Sequence, residues 1–145
     1  MHAIYLLDTN IISELTKVSP NQNVVSKIFE TQKVSVLSTI TWAEAQFGVK
    51  RLPEGKRKET LSDFYLNTVQ SQYNFLDFDI HAASVYSDIK TRLERIGKLP
   101  AELDLQIASV AIANNLILVT RNIQDFVDIA ENSALMMENW FEAID

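Results

Sequence analysis

The sequence contains no cysteine, only two histidines and only three glycines. Without cysteine the chain can form no disulfide, no thiolate metal site and no cysteine nucleophile. His2 and His81 are too few for a histidine metal cluster. The glycines stand at positions 48, 55 and 97, too far apart for the loops that cradle phosphate in dinucleotide-binding and P-loop folds. These absences leave oxygen and nitrogen side chains as the only candidates for chemistry.

Long apolar runs are missing as well, since no stretch approaches the roughly 18 residues that a membrane span requires. The first residues lack the basic start and the long apolar region of a secretory signal. An apolar content of 47% nevertheless argues against disorder. We therefore expect a soluble cytoplasmic protein without a membrane partner, folded as one domain over residues 1–145.

Positive charge is scarce overall, because 13 basic residues face 19 acidic ones and the net charge is −6. This balance argues against a general nucleic-acid binder. Residues 50–58 are an exception, with five basic residues and one acidic residue. Such a segment is either a solvated or partner-binding rim or a track for phosphates. The basic residues that we select for RNA or partner binding are Lys50, Arg51, Lys56 and Arg57. A second basic group consists of Lys90, Arg92, Arg95 and Lys98.

Short β-type runs and helical apolar patterns alternate along the chain. The predicted strands cover residues 4–7, 34–37, 73–78, 116–120 and 134–137. The predicted helices cover about 9–17, 21–31, 39–49, 56–69, 80–96 and 102–113, and a polar turn is predicted at 121–126. This alternation predicts an α/β fold with a short, parallel central sheet of four to five strands flanked by helices.

Four carboxylates fall at corresponding places in this pattern. Asp8 follows the first strand and Glu44 the second, Asp104 opens a helix, and Asp125 follows the fourth strand. In a parallel sheet all four can meet at the carboxyl edge, where ligands bind. Plainer interpretations exist for some of them. Asp8 or Thr9 can simply cap a helix.

Glu44 has its own alternative, because Thr41 followed by Glu44 matches a capping box. That interpretation requires the helix to begin at Thr41, although Ser38 and Thr39 are equally good caps. In the other interpretation, Glu44 lies in line with the apolar side chains of Ile40 and Phe47. The sequence leaves both possibilities open.

Asp104 shares the face of an apolar helix with Ile107 and Ala108. An unpaired carboxylate on a buried helix costs several kcal/mol, so it needs a partner. Clustered carboxylates repel one another unless a cation neutralises them. Oxygen ligands without histidine or cysteine favour Mg²⁺, with Mn²⁺ as a substitute. A site of this kind is suited to phosphodiester hydrolysis.

Four segments carry a resemblance to a known family: residues 7–10 (LDTN), residues 42–48 (WAEAQFG), residues 104–108 (DLQIA) and residues 119–126 (VTRNIQDF). In this order and spacing the chain resembles PIN-domain ribonucleases, and within them the VapC-like toxins of bacterial toxin–antitoxin pairs. The resemblance covers nearly the whole chain and implies a single PIN-like domain. It further implies a Mg²⁺-dependent endoribonuclease that cleaves RNA, is inhibited by a cognate antitoxin and forms a homodimer.

The resemblance also implies the site residues. Asp8, Glu44 and Asp104 match the acidic positions of the family as catalytic and metal-binding residues. The fourth position lies between Asn122 and Asp125, because many PIN domains carry Asp at the position of Asn122; we assign the charge to Asp125. The polar residues implied in support of the site are Thr9, Asn10, Thr120 and Asn122.

Two other functions fit parts of the pattern. A phosphatase with Asp8 as its nucleophile would place the carboxylate after the first strand, but Asn10 occupies the position of the second Asp that such enzymes usually have. A receiver-like or docking module could bind Mg²⁺ in an acidic pocket without catalysis. Neither alternative requires four converging carboxylates, so Glu44 and Asp125 distinguish them from a nuclease.

Overall fold

The computed structural model of the protein describes residues 2–142, so the predicted domain of residues 1–145 extends beyond the described residues at both ends. Five parallel strands form one sheet in the order β3-β2-β1-β4-β5. The strands are β1 (Tyr5–Leu7), β2 (Ser35–Ser38), β3 (Phe75–Leu76), β4 (Ile117–Val119) and β5 (Met136–Glu138). The prediction of a short parallel sheet of four to five strands is therefore confirmed.

Helices connect the strands. They are α1 (Thr9–Ile12), α2 (Gln22–Glu30), α3 (Thr39–Lys50), α4 (Lys56–Asp63), α5 (Gln70–Gln72), α6 (Ile80–Arg95), α7 (Glu102–Ala113) and α8 (Ile123–Glu131). A 3₁₀ turn at Ser13–Thr16 continues α1, another at Gln32–Val34 precedes β2, and a π-helical segment at Phe64–Val69 joins α4 to α5. Within residues 2–142, none of the helices has the length and apolarity to cross a membrane.

Helix α8 corrects the sequence prediction, which placed a polar turn at residues 121–126. The helix begins at Ile123 and buries Phe126 and Ile129. Its apolar residues recur at helical spacing, but the polar residues of its first turn concealed that pattern. The consequence for the site is that Asp125 lies in the first turn of a helix.

The sheet separates two apolar clusters, because successive side chains of a strand point to opposite faces. Leu6 and Leu118 belong to one cluster, which also includes much of α7, while Leu7 and Val119 belong to the other. Helix α7 is buried around most of its circumference, as predicted. Trp140 folds back onto the core, where it is 1% exposed and lies in the second cluster.

The strand order determines where a ligand can enter. From β1 the chain proceeds outward to β2 and β3, whereas β4 pairs with the other side of β1 and is followed outward by β5. In sheets of this kind a crevice opens at the carboxyl ends of the two strands where the direction reverses. Asp8 and Thr120 are the residues that directly follow β1 and β4. The fold thus brings both of them to the crevice.

Candidate active site

Asp8 lies at the centre of this crevice and is 7% exposed. Its carboxylate accepts hydrogen bonds from the Thr9 backbone N–H at 2.8 Å and from Thr120 Oγ1 at 2.9 Å. Asp8 is also the N-terminal cap of α1, so the plainer interpretation of this residue is correct without excluding a second role. Burial raises the pKa of Asp8 above its ordinary value, and the negative charge of Asp125 raises it further; the hydrogen bonds oppose both effects.

The predicted polar residues connect the loops that follow β1 and β4. Asn10 Oδ1 accepts from the Arg121 backbone N–H at 3.0 Å. Thr120 is fully buried, and its hydroxyl accepts from the Asn122 backbone N–H at 3.1 Å while it donates to Asp8. This network fixes the orientation of the Asp8 carboxylate. Asn122 joins the network through its backbone rather than its side chain.

Glu44 has no capping role. Helix α3 is capped by Ser38, whose Oγ accepts from the Thr41 backbone N–H at 3.0 Å, so the capping box beginning at Thr41 is wrong. Glu44 instead accepts from Thr9 Oγ1 at 3.3 Å. The helix therefore presents this carboxylate to the loop that carries Asp8.

The predicted face of α3 also needs correction. The helix buries Thr41, Ala45 and Val49, whereas Phe47, which was expected to share an apolar face with Glu44, is 65% exposed. The spacing of Glu44 and Phe47 was right, but that side of the helix is turned partly towards solvent. Glu44 is accordingly half-buried.

The carboxylates of the crevice influence one another. Burial raises the pKa of Glu44, and the charges of Asp8 and Asp104 raise it further. Burial also raises the pKa of Asp104 to about 6, with contributions from Asp8 and Asp125. Asp125 is itself exposed, yet its charge acts on both Asp8 and Asp104. All four predicted carboxylates therefore lie within the same electrostatic neighbourhood.

The donor set fits a hard divalent cation, because it consists of partly desolvated carboxylate oxygens. Throughout the described part of the chain, no lysine or arginine forms an ion pair with Asp8, Glu44, Asp104 or Asp125. In the same residues, no three acidic or histidine side chains are close enough together to hold an ion. Shared coordination would thus require these side chains to approach one another.

One more buried carboxylate, Glu14, lies outside the set predicted from the sequence. It pairs with Lys17 at 2.8 Å and accepts from the Asn21 backbone N–H at 2.7 Å. These two partners, Lys17 first, lower the pKa of Glu14. Glu14 therefore stabilises the connection between α1 and α2. Its charge is compensated by Lys17, unlike the charges of the carboxylates in the crevice.

The two basic groups differ in their surroundings. In the second group, Lys90 pairs with Glu102, Lys98 pairs with Asp128, and Arg92 donates to the Asn132 carbonyl. These contacts connect α6 and the segment that follows it to neighbouring parts of the fold. In the first group, Lys50, Arg51, Lys56 and Arg57 are exposed. They border the connection between α3 and α4, where a cleft of about 580 Å³ opens.

Comparison with known proteins agrees with this geometry. Residues 5–132 match the model of the PIN domain. Ribonuclease VapC2 of Rickettsia felis is 33% identical over 139 residues, which cover 94% of this chain and 98% of the relative. The crystal structure of FitAcB from Neisseria gonorrhoeae superposes with a TM-score of 0.87 at 30% identity, covering 97% of this chain and 100% of that chain.

A second solved structure, VapBC2 from Rickettsia felis bound to a DNA fragment from their promoter, superposes with a TM-score of 0.78 at 32% identity. The superposition covers 94% of this chain and 98% of the chain in that structure. The match to the domain model and the extent of these similarities agree with the resemblance found in the sequence. The chain belongs to the PIN-domain family, in the group that contains the VapC ribonucleases.

Proposed function

We propose that the protein is a Mg²⁺-dependent endoribonuclease and acts as the toxin of a toxin–antitoxin pair. The observation that carries the proposal is the uncompensated group of carboxylates at the end of β1, in which burial and mutual repulsion raise the pKa values of Asp8, Glu44 and Asp104. Such a group gains most from a cation. The relatives named ribonuclease VapC support RNA as the substrate.

Asp8, Glu44, Asp104 and Asp125 are the residues that would hold the ion. A bound Mg²⁺ or Mn²⁺ supplies Lewis acidity at the phosphate and lowers the pKa of the attacking water. Thr120 and the Thr9 backbone keep the Asp8 carboxylate in one orientation, so little side-chain entropy is lost on binding. Thr9 orients Glu44 in the same way. Asp104 must lose its proton before it can act as a ligand, and its pKa of about 6 allows this at neutral pH.

We propose a cognate antitoxin as the protein partner, because the solved relatives include VapBC toxin–antitoxin complexes. Homodimer formation and a cytoplasmic location belong to the same proposal and rest on the family resemblance. The antitoxin surface would be the helical segments that flank the connection between α3 and α4, where the side chains of Phe47 and Leu66 are 65% and 46% exposed. The adjoining cleft has mostly polar lining residues, with Val49 and Leu66 as its apolar residues.

Expression tests the proposed function directly. The chain produced alone in a bacterial host should arrest growth, because unopposed RNA cleavage stops translation. Production together with the protein encoded beside it should restore growth. The measurements are growth curves and the integrity of total RNA. Equal growth in both cultures, with intact RNA, would contradict the assignment as a toxin.

The basic connection supplies a second prediction. Reversing the charges of Arg51, Lys56 and Arg57 to Glu should weaken binding of RNA, of the antitoxin, or of both by about tenfold, since each removes favourable attraction and adds repulsion. Binding is measured by fluorescence anisotropy at low salt and again at high salt. At high salt the difference in affinity between the wild type and the variant should shrink.

A matched control changes the net charge equally at a distance. Reversal of Lys27, Lys33 and Arg95 leaves the α3–α4 connection intact and should reduce binding much less. If both triple variants weaken binding to the same extent, the effect comes from net charge alone and the basic connection has no specific role. Unchanged binding of the first variant would refute the proposal as well.

A further inference from the structure

A polar cleft of about 470 Å³ opens beside the candidate active site, at the carboxyl ends of β4 and β5. We call it the Arg121 cleft; its polar lining residues are Arg121, Asn122, Gln124, Asp125, Asn139 and Glu142. Cavities of roughly 300–1,000 Å³ accommodate small ligands. The Arg121 backbone is hydrogen-bonded to Asn10, and Asp125 acts on the Asp8 carboxylate, so the cleft adjoins the crevice.

The walls of the cleft carry three carboxamide side chains. Asn139 Oδ1 accepts from the Phe141 backbone N–H at 2.9 Å, which holds the side chain in place and leaves its NH₂ group to donate. Within residues 2–142, the Gln124 and Asn122 side chains have no hydrogen-bond partner. Carboxamides donate and accept at once, and they can pair with two atoms on the edge of a nucleobase.

Arg121 adds a planar group. Its guanidinium carbon lies 4.4 Å from the centre of the Phe141 ring. This cation–π contact restrains the side chain, and because Arg121 is exposed, the guanidinium remains accessible. Guanidinium planes and aromatic rings are the surfaces on which the bases of unpaired RNA stack. The cleft therefore combines a stacking surface with groups that pair with base edges.

Charge distinguishes a base from a phosphate as the occupant. The cleft contains two carboxylates, Asp125 and Glu142, against the single cation of Arg121. With Asp125 engaged by the ion, Glu142 still offsets the charge of Arg121, so the cleft offers a phosphate no net attraction. The side-chain carbonyl of Gln124 instead accepts a hydrogen bond from the exocyclic amino group of adenine, cytosine or guanine, which uracil lacks. These charges and acceptors favour an uncharged base that can donate a hydrogen bond.

We propose that the Arg121 cleft binds the base of an unpaired nucleotide next to the cleaved phosphate and favours bases with an exocyclic amino group. This specificity rests on the proposed ribonuclease function. Arg121 stacks on the base, Asn139 pairs with its edge, and the side-chain carbonyl of Gln124 accepts from the amino group, while Asp125 remains available to the ion. The cleft thereby influences where along an RNA the enzyme cleaves.

The test begins with a mapped cleavage site in an unstructured RNA. Each of the two nucleotides on either side of the cleaved bond is replaced in turn by uridine, and kcat/KM is measured with the full-length protein. At one position, loss of the amino group should lower kcat/KM about tenfold. In Gln124→Ala this ratio should fall to about one. Gln70→Ala removes an exposed carboxamide on α5 and should keep the tenfold ratio.

Arg121→Lys retains the charge but loses the planar group, so it should lower kcat/KM by the same factor for every base at that position. The proposal is overturned if uridine is tolerated at all four positions, or if Gln124→Ala keeps the wild-type ratio. Loss of antitoxin affinity in Gln124→Ala with an unchanged ratio would identify the cleft as a protein-docking surface instead.

Direct binding separates failure of this proposal from failure of the proposed function. Fluorescent pentacytidylate and pentauridylate are titrated with the wild type in EDTA, where cleavage is not required. Pentacytidylate should bind about tenfold more tightly, and Gln124→Ala should abolish the difference. A wild type that cleaves no RNA contradicts the ribonuclease assignment, whereas equal binding of the two oligonucleotides contradicts the base preference.

Discussion

Replacing Asp104 with asparagine should lower kcat/KM for RNA cleavage by about a hundredfold or more, which corresponds to about 3 kcal/mol of lost transition-state stabilisation. The asparagine would keep the size of the side chain but could not offset the charge of a bound cation. Asp8→Asn should have a comparable effect, because the Thr9 and Thr120 donors hold that carboxylate at the centre of the crevice. Cleavage of a labelled RNA at a fixed Mg²⁺ concentration gives the rates.

Asp77→Asn is the matched control for this experiment. Asp77 also follows a strand, but β3 lies at the edge of the sheet, two strands away from β1, and Asp77 is exposed. Its replacement should leave cleavage within about twofold of wild type. Circular dichroism of all variants checks that they are folded. Full activity of purified Asp104→Asn or Asp8→Asn would refute the assignment of the active site.

The sequence predicts the elements around the candidate site well where local patterns determine structure. Helix α7 occupies Glu102–Ala113, as predicted, because a continuous apolar pattern runs between Pro100 and Asn114. Helix α6 (Ile80–Arg95) also lies close to its predicted bounds of 80–96, since the residues that begin and end it act locally. Asp79 caps its beginning, and Gly97, just beyond its end, adopts a φ of +69°, which glycine tolerates best. Asp8 and Asp104 could be placed at the carboxyl edge on these grounds.

Non-local packing determines what the sequence did not predict. The side of α3 that faces the core depends on neighbouring elements, and for this reason the spacing of Glu44 and Phe47 suggested an apolar face that the structure leaves exposed. The polar beginning of α8 concealed a helix whose buried residues come later in the segment. Pairing of β1 with β4 joins residues more than 100 positions apart, and local spacing carries no information about that. The hydrogen bond between Asn10 and Arg121 follows from this pairing.

Burial and mutual repulsion of the carboxylates in the crevice should lower the free energy of unfolding as pH rises when divalent ions are absent, whereas Glu14, with its lowered pKa, contributes in the opposite direction. The pKa of Asp104 is raised from 3.8 to about 6, so between these values the folded state binds more protons than the unfolded state. The free energy of unfolding therefore falls as pH rises through this window, and the full penalty is present above about pH 6. Burial and repulsion raise the pKa values of Asp8 and Glu44 in the same direction. Urea unfolding in EDTA at pH 4, 5, 6 and 7.5 measures the effect.

Asp104→Asn separates this contribution from the rest of the pH dependence, because an asparagine does not titrate. In EDTA the variant should match the wild type at pH 4, where Asp104 is protonated, and be at least as stable at pH 7.5. A carboxylate with a purely structural role, such as a helix cap, would behave differently, since its removal costs about 1 kcal/mol. Loss of stability in Asp104→Asn at pH 7.5 would therefore contradict a penalty from burial and repulsion of the Asp104 charge.

Mg²⁺ should reverse the penalty at pH 7.5. An ion present at about a hundred times its dissociation constant adds about 2.7 kcal/mol, which raises the melting temperature of a domain of this size by roughly 5–10 °C. Asp104→Asn should lose this response.

The variant Asp125→Asn shows whether Asp125 is a fourth ligand. Asp125 is exposed, and it acts on Asp8 and Asp104 through its charge. If Asp125→Asn keeps the full Mg²⁺ shift while Asp104→Asn loses it, Asp125 is not a ligand and the ion is held by three carboxylates.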